Sequence, residues 1–199
     1  MKILVQKFGG TSVSTEEKRK LVVRKVSNAQ AKGYFPVVVV SAMGRKGEPY
    51  ATDTLLSLVD DKFKDLNPLA IDLLMSCGET ISTVIMCNEL NNSNIDAVPL
   101  TGGQAGIITD CNYNNAAIIN VDTKKILSIL QNGKIPVVAG FQGRDGNDYI
   151  TTIGRGGSDV TAAILGAALS AVETQIYTDV DGIMTADPRI VSEATLIKK

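Results

Sequence analysis

The sequence predicts an α/β protein in which helices cover both faces of a mostly parallel sheet, a three-layer α/β/α sandwich. Short apolar runs of strand length alternate along the chain with segments of helical periodicity. Strands that alternate with helices pair in parallel, because each helix returns the chain to the same end of the sheet. With 199 residues, of which 44% are hydrophobic, the chain can bury one sizeable core, so we expect one domain.

The predicted strands are apolar runs bounded by turn residues or polar segments. They cover residues 2–8, 36–41, 95–100, 135–139 and 174–178. Residues 37–40 are all valine, a pattern typical of a strand that is buried on both faces of a parallel sheet. Residues 102–121 fit the alternation of strands and helices less well, and they predict a small antiparallel segment outside the main sheet. The glycine-rich residues 140–147 predict a loop or a hairpin.

Helix boundaries are predicted from capping residues. Ser14 begins the sequence Ser-Thr-Glu-Glu, which has the spacing of a capping box, and predicts a helix that ends near residue 32, before Gly33. Asn67 followed by Pro68 predicts the start of a long helix that reaches residue 91. Further helices are predicted over residues 122–132 and from Ser158 or Asp159 to residue 170.

The composition excludes several classes of function. The chain has no histidine, which removes Ser-His-Asp and Cys-His catalysis, His-Glu-x-x-His zinc hydrolysis and any histidine general base. Cys77, Cys87 and Cys111 lack Cys-x-x-Cys spacing and are interpreted as ordinary reduced thiols. A formal charge of −1 argues against a nucleic-acid partner. Apolar runs too short for a membrane span and an N-terminus without a signal-peptide pattern predict a cytoplasmic protein.

Two glycine-rich turns carry the candidate chemistry. KFGGTSV at residues 7–13 ends the first strand, and TTIGRGGSD at residues 151–159 leads into an alanine-rich helix. Glycine lets the backbone approach a ligand, and a helix N-terminus attracts anions. Neither turn matches a Walker loop or a dinucleotide fingerprint. Because Lys7 lies in one turn and Arg155 with Asp159 in the other, we expect a site for phosphates and a small charged metabolite.

Several motifs resemble those of aspartokinases and occur in the same order. They are KFGGTSV at 7–13, VVVSAMG at 38–44, SCGE at 76–79, GQAGIITD at 103–110, TTIGRGGSD at 151–159, TDVDGI at 178–183 and TADPR at 185–189. Each motif alone is weak, but the ordered set is specific. Nearly the whole chain is therefore similar to the N-terminal part of an aspartokinase of the amino acid kinase superfamily. The three-layer sandwich of that superfamily agrees with the fold predicted from periodicity.

The resemblance also bears on domain organisation. Aspartokinases continue past their Asp-Pro-Arg segment into more of the nucleotide-binding lobe and then into ACT regulatory domains. We therefore expect residues 1–199 to form an incomplete amino acid kinase catalytic domain, with no ACT domain and with the C-terminal part of the fold missing. A homo-oligomer is implied for the full-length protein.

The function implied by the resemblance is that of an ATP-dependent aspartate kinase, which forms 4-phospho-L-aspartate on the route to diaminopimelate, lysine, threonine and methionine. Two alternatives stay open. One is another amino acid kinase, acting on acetylglutamate, glutamate, carbamate or UMP, and the motifs at residues 7–13 and 76–79 argue against it. The other is a non-catalytic ligand-binding module with an incomplete nucleotide site.

For ATP, the resemblance implies that Lys7 stabilises the transferring phosphoryl group and that Asp159 orients Lys7. Gly9 and Gly10 would donate backbone N–H groups to phosphate, and Ser41 would add its hydroxyl. The remaining ATP contacts are expected from Thr178, Asp179, Met184, Asp187 and Arg189. Mg²⁺ is expected as the counter-ion of ATP, held through phosphate oxygens and water, and no residue is assigned as a metal ligand.

For L-aspartate, the resemblance implies that Arg155 clamps a carboxylate with its guanidinium fork and that Glu79 binds the amino group. Thr52 would also lie at the substrate, and the pocket would be shaped by Gly156, Gly157 and Ser158. From the residues alone, Lys7 can also be a solvated lysine, Glu79 an exposed helix carboxylate and Thr52 an N-cap. Gly78 weakens its helix relative to alanine, so we expect another segment to approach the helix closely there.

Overall fold

A five-stranded parallel sheet forms the centre of the computed structural model, which describes residues 1–154, 156–178, 185, 191 and 193–195. Its strands are β1 (Ile3–Phe8), β2 (Phe35–Val40), β3 (Ala97–Leu100), β6 (Ile135–Ala139) and β9 (Glu173–Tyr177), in the order β3-β6-β2-β1-β9. All neighbouring pairs are parallel. Each predicted strand of this sheet is present, with ends that shift by two residues at most.

The helices lie on both faces of this sheet. They are α1 (Gly10–Val13), α2 (Glu16–Ala31), α3 (Thr52–Leu56), α4 (Asp61–Leu66), α5 (Pro68–Asn91), α6 (Lys124–Gln131) and α7 (Gly157–Ala168). Alternate residues of β2 enter two separate cores: Val38 and Val40 pack with α2 and α5, whereas Val37 and Val39 pack with α6 and α7. The predicted α/β/α sandwich is therefore confirmed.

A second, four-stranded sheet accounts for the irregular part of the sequence. It contains β4 (Ile107–Thr109), β5 (Ile118–Val121), β7 (Gln142–Arg144) and β8 (Ile150–Thr152), in the order β5-β4-β7-β8. Strands β4 and β5 are antiparallel, as predicted for residues 102–121, and β7 and β8 form an antiparallel hairpin. The hairpin extends beyond the predicted residues 140–147. Its second strand was not predicted, because β8 is short and has no distinct sequence pattern.

Three helix starts differ from the prediction. Helix α6 begins at Lys124, two residues after the predicted start. The N-cap of α2 is Thr15, whose Oγ1 accepts from the Lys18 N–H at 3.4 Å. Ser14 instead follows the unpredicted helix α1, and its hydroxyl donates to the Thr11 carbonyl at 3.0 Å. Helix α7 begins at Gly157, because Gly156 takes the N-cap position with φ of 74°. Helix α3 was expected only through the alternative assignment of Thr52 as an N-cap, and α4 was not predicted, since each spans fewer than two turns.

Helix α5 is a core element, although its length and apolar composition would allow it to cross a membrane. It packs against β3, β6 and β8. Its buried face carries Asp72 and Glu79, and charged groups in that position require partners inside the protein. The helix therefore connects both sheets and places two carboxyl groups in the interior.

The core assignment predicts a large difference between two leucines of α5. Leu90 is 0% exposed and Leu73 is 53% exposed. We expect Leu90→Ala to lower the free energy of unfolding by about 2–5 kcal/mol, because it leaves a cavity. Leu73→Ala should change it by less than about 1 kcal/mol. Chemical denaturation of both variants checks this, and equal losses would contradict the packing of α5 described here.

Candidate functional site

A cleft of about 930 Å³ opens at the carboxyl ends of β1, β2 and β6. The carboxyl ends of parallel strands share one edge of a sheet, and ligands of open α/β sheets bind there. The first turn of α7 and the middle of α5 form further walls of the cleft. Segments that are far apart in the sequence therefore meet around one cavity.

Lys7, at the end of β1, is held at this cleft by an ion pair. Its Nζ lies 2.7 Å from Oδ1 of Asp159, in the first turn of α7. The Lys7 residue is 7% exposed, whereas half of the Asp159 side chain is accessible. The ammonium group is thus anchored on one side, and its remaining N–H donors are available to an anion in the cleft.

The two glycines after β1 have different roles. The Gly9 N–H donates to the Tyr177 carbonyl at 3.2 Å, so the expectation that both glycines donate to phosphate is wrong for Gly9. Gly10 opens α1, whose first N–H groups have no acceptor within the helix. A Cβ at Gly10 would lie 2.4 Å from the Ala42 carbonyl oxygen. Only glycine therefore allows this turn to pack against the end of β2, where Ser41 lines the cleft.

Glu79 is a buried carboxyl group with one oxygen left open. It is 3% exposed, so the interpretation as an exposed helix carboxylate is wrong. Oε1 accepts from the Ala42 N–H at 3.1 Å, whereas Oε2 has no hydrogen-bond donor in the part of the chain that the structure describes. Burial raises the pKa of Glu79 to about 7, and the Ala42 N–H opposes the rise. An unsatisfied buried oxygen at a cleft calls for a donor from a ligand.

Gly78 explains how Glu79 reaches the end of β2. A Cβ at this position would lie 2.8 Å from the Ala42 Cβ and 2.9 Å from the Tyr50 carbonyl oxygen. A side chain would force α5 away from these segments and stretch the hydrogen bond between Ala42 and Glu79. The expected close approach at Gly78 is confirmed.

The remaining wall combines α3 with the start of α7. Thr52 is the first residue of α3, and Ala51 is its N-cap, so the alternative assignment of Thr52 as an N-cap is wrong. Ser158 is 9% exposed and lies in the first turn of α7. Both residues line the cleft. Their hydroxyl groups can accept or donate hydrogen bonds to a small polar ligand.

Most of the described candidate residues converge on the cleft. The lining includes Lys7, Gly10, Ser41, Thr52, Glu79, Gly156, Gly157, Ser158 and Asp159. Gly9 directs its N–H toward β9, and Thr178 is exposed and does not line the cleft. The other candidates, Arg155, Asp179, Met184, Asp187 and Arg189, lie outside the described residues.

Several residues that line the cleft were not predicted from the sequence, among them Ala42, Asn114 and Phe141. Ala42 acts through its backbone N–H, which no residue type signals. Asn114 and Phe141 both have φ of 68°, a left-handed conformation that asparagine adopts more readily than other non-glycine residues. Such conformations cluster at binding sites, but they cannot be recognised from the side chains.

Comparison with known proteins matches the sequence and the fold of this chain to one family. The family model of the amino acid kinase family matches residues 2–199. Aspartokinase 1 of Bacillus subtilis is 52% identical over 194 residues, which are 98% of this chain and 48% of that protein. The chain thus spans about half the length of the curated relatives it matches.

Solved structures agree. The crystal structure of aspartate kinase from Synechocystis superposes on this chain with a TM-score of 0.75 at 38% sequence identity. The match covers 98% of this chain and 31% of the Synechocystis chain. The structure of E. coli aspartokinase III in complex with aspartate and ADP gives a TM-score of 0.78 at 26% identity, with coverage of 98% and 53%. Together with the family model and the three-layer fold, these matches establish that the chain belongs to the amino acid kinase family.

Proposed function

We propose that the full-length protein is an ATP-dependent aspartate kinase that transfers the γ-phosphoryl group of ATP to the β-carboxylate of L-aspartate. The observation that carries this proposal is the buried Glu79 carboxyl group, with Oε2 unpartnered among the described residues at the cleft. An ammonium group has three N–H donors and a positive charge, so the amino group of an amino acid fits this position. The similar proteins are named aspartokinases, and one was solved with aspartate and ADP.

The reaction matches the side chains available. A β-carboxylate is ionised at neutral pH and attacks phosphorus without a general base, which suits a site without histidine. The enzyme must align two anions that repel each other and stabilise charge on the transferring phosphoryl group. Lys7 can supply this stabilisation, and Asp159 holds its Nζ in place at 2.7 Å.

The aspartate end of the site is assigned to the wall formed by α5, α3 and α7. Glu79 accepts a hydrogen bond from the amino group, while the hydroxyl groups of Thr52 and Ser158 bind the carboxylate groups. The turn that contains Gly156 and Gly157 keeps this wall open to the ligand. By resemblance, Arg155 forms the bidentate contact with a carboxylate.

The phosphate end is assigned to Gly10 and Ser41 beside Lys7. Gly9 contributes by fixing the turn through its bond to Tyr177. Mg²⁺ would enter as the counter-ion of ATP, held through phosphate oxygens and water. By resemblance, the rest of the nucleotide contacts come from Thr178, Asp179, Met184, Asp187 and Arg189.

The cellular setting follows from this activity. We assign the protein to the cytoplasm, as the entry enzyme of lysine, threonine and methionine biosynthesis, and as a homo-oligomer in its full-length form. Neither nucleic acid nor a membrane has a part in the proposal.

The proposed activity is tested by measuring ADP release from Mg-ATP by the full-length protein. L-Aspartate should support turnover, and acetylglutamate, glutamate, carbamate and UMP should not. Turnover with one of these compounds in place of aspartate would favour another amino acid kinase. Binding of aspartate without ADP release would favour the non-catalytic module.

We expect the KM for aspartate to depend on pH through Glu79. The amino group binds the carboxylate form, and burial raises the pKa of Glu79 to about 7. Below that pH the KM should rise about tenfold for each pH unit, and above it the KM should be constant. In Glu79→Gln the KM should be high and flat. Initial rates between about pH 5.5 and about pH 8.5 check this, with the KM for ATP as the internal control.

Glu79 should also affect stability, with a sign opposite to that of a salt-bridged carboxylate. Its pKa in the folded protein lies above the ordinary value of 4.5, so the unfolded chain binds fewer protons between these two values. The free energy of unfolding therefore falls, through this group, as pH rises from about 4.5 to about 7. Glu79→Gln should unfold at a higher temperature than the wild type at pH 8 and lose that advantage at pH 5. An identical pH slope in both proteins would contradict the burial described here.

Lys7→Ala should remove most turnover and leave the fold intact. Loss of a single group that stabilises transition-state charge lowers kcat by about 10²–10³-fold in comparable sites. Lys20→Ala is the matched control, because Lys20 forms an exposed ion pair with Glu16 away from the cleft. Steady-state rates and thermal unfolding are measured together. Turnover within a factor of a few of wild type, or an unfolded protein, would refute the proposed role.

Arg155→Lys should weaken aspartate binding far more than ATP binding. Lysine keeps the positive charge but cannot form two parallel hydrogen bonds to a carboxylate. The Michaelis constants for both substrates are compared between the variant and wild type. A larger increase for ATP than for aspartate would contradict the assignment of Arg155 to the substrate carboxylate.

A further inference from the structure

Asp72 is a buried carboxylate that no step of the proposed reaction uses. It lies in α5 and is 0% exposed. Its oxygens accept from the Thr152 N–H at 2.8 Å, from the Thr152 hydroxyl at 2.6 Å and from the Asn114 N–H at 3.0 and 3.1 Å. All of these donors are neutral, so the carboxylate is satisfied by hydrogen bonds from two other segments. Burial of such a group is unfavourable unless it is fully hydrogen-bonded. The carboxylate therefore favours the one arrangement in which the donors of Thr152 and Asn114 both reach it.

Both segments that Asp72 holds are walls of the cleft. Thr152 ends β8, and Gly154 follows two residues later with φ of 76° and lines the cleft. Asn114 has φ of 68° and lines the cleft as well. The two segments also touch each other, since a Cβ at Gly154 would lie 2.7 Å from the Asn115 Oδ1. Fixing Thr152 and Asn114 therefore fixes the start of the turn that leads to Ser158 and Asp159.

Asp72 and Glu79 share the buried face of α5. They are seven residues apart, which places them two helical turns apart on the same side of the helix. One end of this face thus holds the turn that leads into α7, and the other end presents the open Oε2 of Glu79. A helix is a rigid connection, so the separation between the two walls is set by α5.

We propose that Asp72 is a positioning residue that holds the turn after β8 and the loop at Asn114 at a fixed distance from Glu79. The carboxylate groups of aspartate are then bound at the correct distance from the site of its amino group. This inference rests on the proposed function for the identity of the substrate. The part played by Asp72 is indirect, because its own oxygens are occupied by Thr152 and Asn114.

Substitution by asparagine tests why a carboxylate is required. The donors approach both oxygens of Asp72, and asparagine offers only one oxygen. Because the Asn114 N–H donates to both oxygens of Asp72, the NH₂ group lies against this N–H in either orientation and weakens the hold on Asn114. In one of the two orientations it also faces the Thr152 N–H. The side-chain volume stays nearly the same, which keeps the packing of α5 intact.

Thr152 and its neighbour Thr151 provide a matched pair of variants. Both residues are 0% exposed. Thr152→Val removes the hydroxyl that donates to Asp72, whereas Thr151→Val removes the bond between the hydroxyls of Thr151 and Thr109, 2.6 Å apart. Each variant loses one buried hydroxyl bond from the same strand. Only Thr152→Val should disturb the turn.

The decisive experiment measures Michaelis constants and amide hydrogen exchange in the full-length protein. Asp72→Asn should raise the KM for aspartate at least tenfold, and Thr152→Val should raise it about three- to tenfold, the size of one lost buried hydrogen bond. The KM for ATP should stay within a factor of about two in both. In Thr151→Val both constants should match the wild type. Amide hydrogen exchange over residues 110–116 and 150–158 should be faster in Asp72→Asn and Thr152→Val than in the wild type. In Thr151→Val it should be unchanged.

The outcomes separate this inference from the proposed function. An active wild type with an unchanged KM for aspartate in both Asp72→Asn and Thr152→Val overturns the inference alone. Equal effects of Thr151→Val and Thr152→Val also overturn it, because they indicate general destabilisation. If Asp72→Asn does not fold, the threonine pair decides. A wild type that does not phosphorylate aspartate overturns the proposed function, and the exchange measurements then decide whether Asp72 holds the two segments.

Discussion

The hydrogen bond between the Ala42 N–H and Glu79 is the interaction on which the site depends. It joins the end of a central strand to the middle of α5, and it can form only because Gly78 lets the two segments approach. It satisfies one oxygen of a buried carboxyl group and leaves the other for a ligand. A second donor from the protein would stabilise the carboxylate but would remove its use in binding.

The two buried acids of α5 illustrate how hydrogen bonding divides structural from ligand-binding roles. Asp72 and Glu79 have the same kind of charge and are buried to a similar extent. Burial raises the pKa of both groups. Asp72 is surrounded by donors from Thr152 and Asn114, whereas Glu79 has a single donor among the residues that the structure describes. The number of internal partners, more than burial, distinguishes a group that holds the fold from one that awaits a ligand.

Much of the fold could be predicted from the sequence, because the central strands are apolar runs and α5 begins at an Asn-Pro pair. The start of α2 was predicted wrongly, because two neighbouring residues could each act as its N-cap. Ser14 and Thr15 are both good N-cap residues, and the presence of α1 decided between them. Helices α3 and α4 are too short to develop a periodicity, and they pack against α5.

The site was predictable to the extent that its residues belong to recognisable motifs. Lys7, Glu79 and Asp159 converge, and the ion pair between Lys7 and Asp159 joins the end of β1 to the first turn of α7. The bond from Gly9 to Tyr177 was not predictable, because it depends on which strand lies beside β1. The contribution of Asp72 was equally hidden, since its partners are two backbone N–H groups and one hydroxyl from segments that are distant in the sequence.

The open oxygen of Glu79 has a consequence for calorimetry. When an ammonium ligand converts the neutral acid to a carboxylate, a proton leaves the protein and is taken up by the buffer. The heat recorded in a titration then includes the ionisation enthalpy of that buffer. Titrations in two buffers of different ionisation enthalpy would report different apparent binding enthalpies for the same event. The slope between them counts the protons that the buried acid releases.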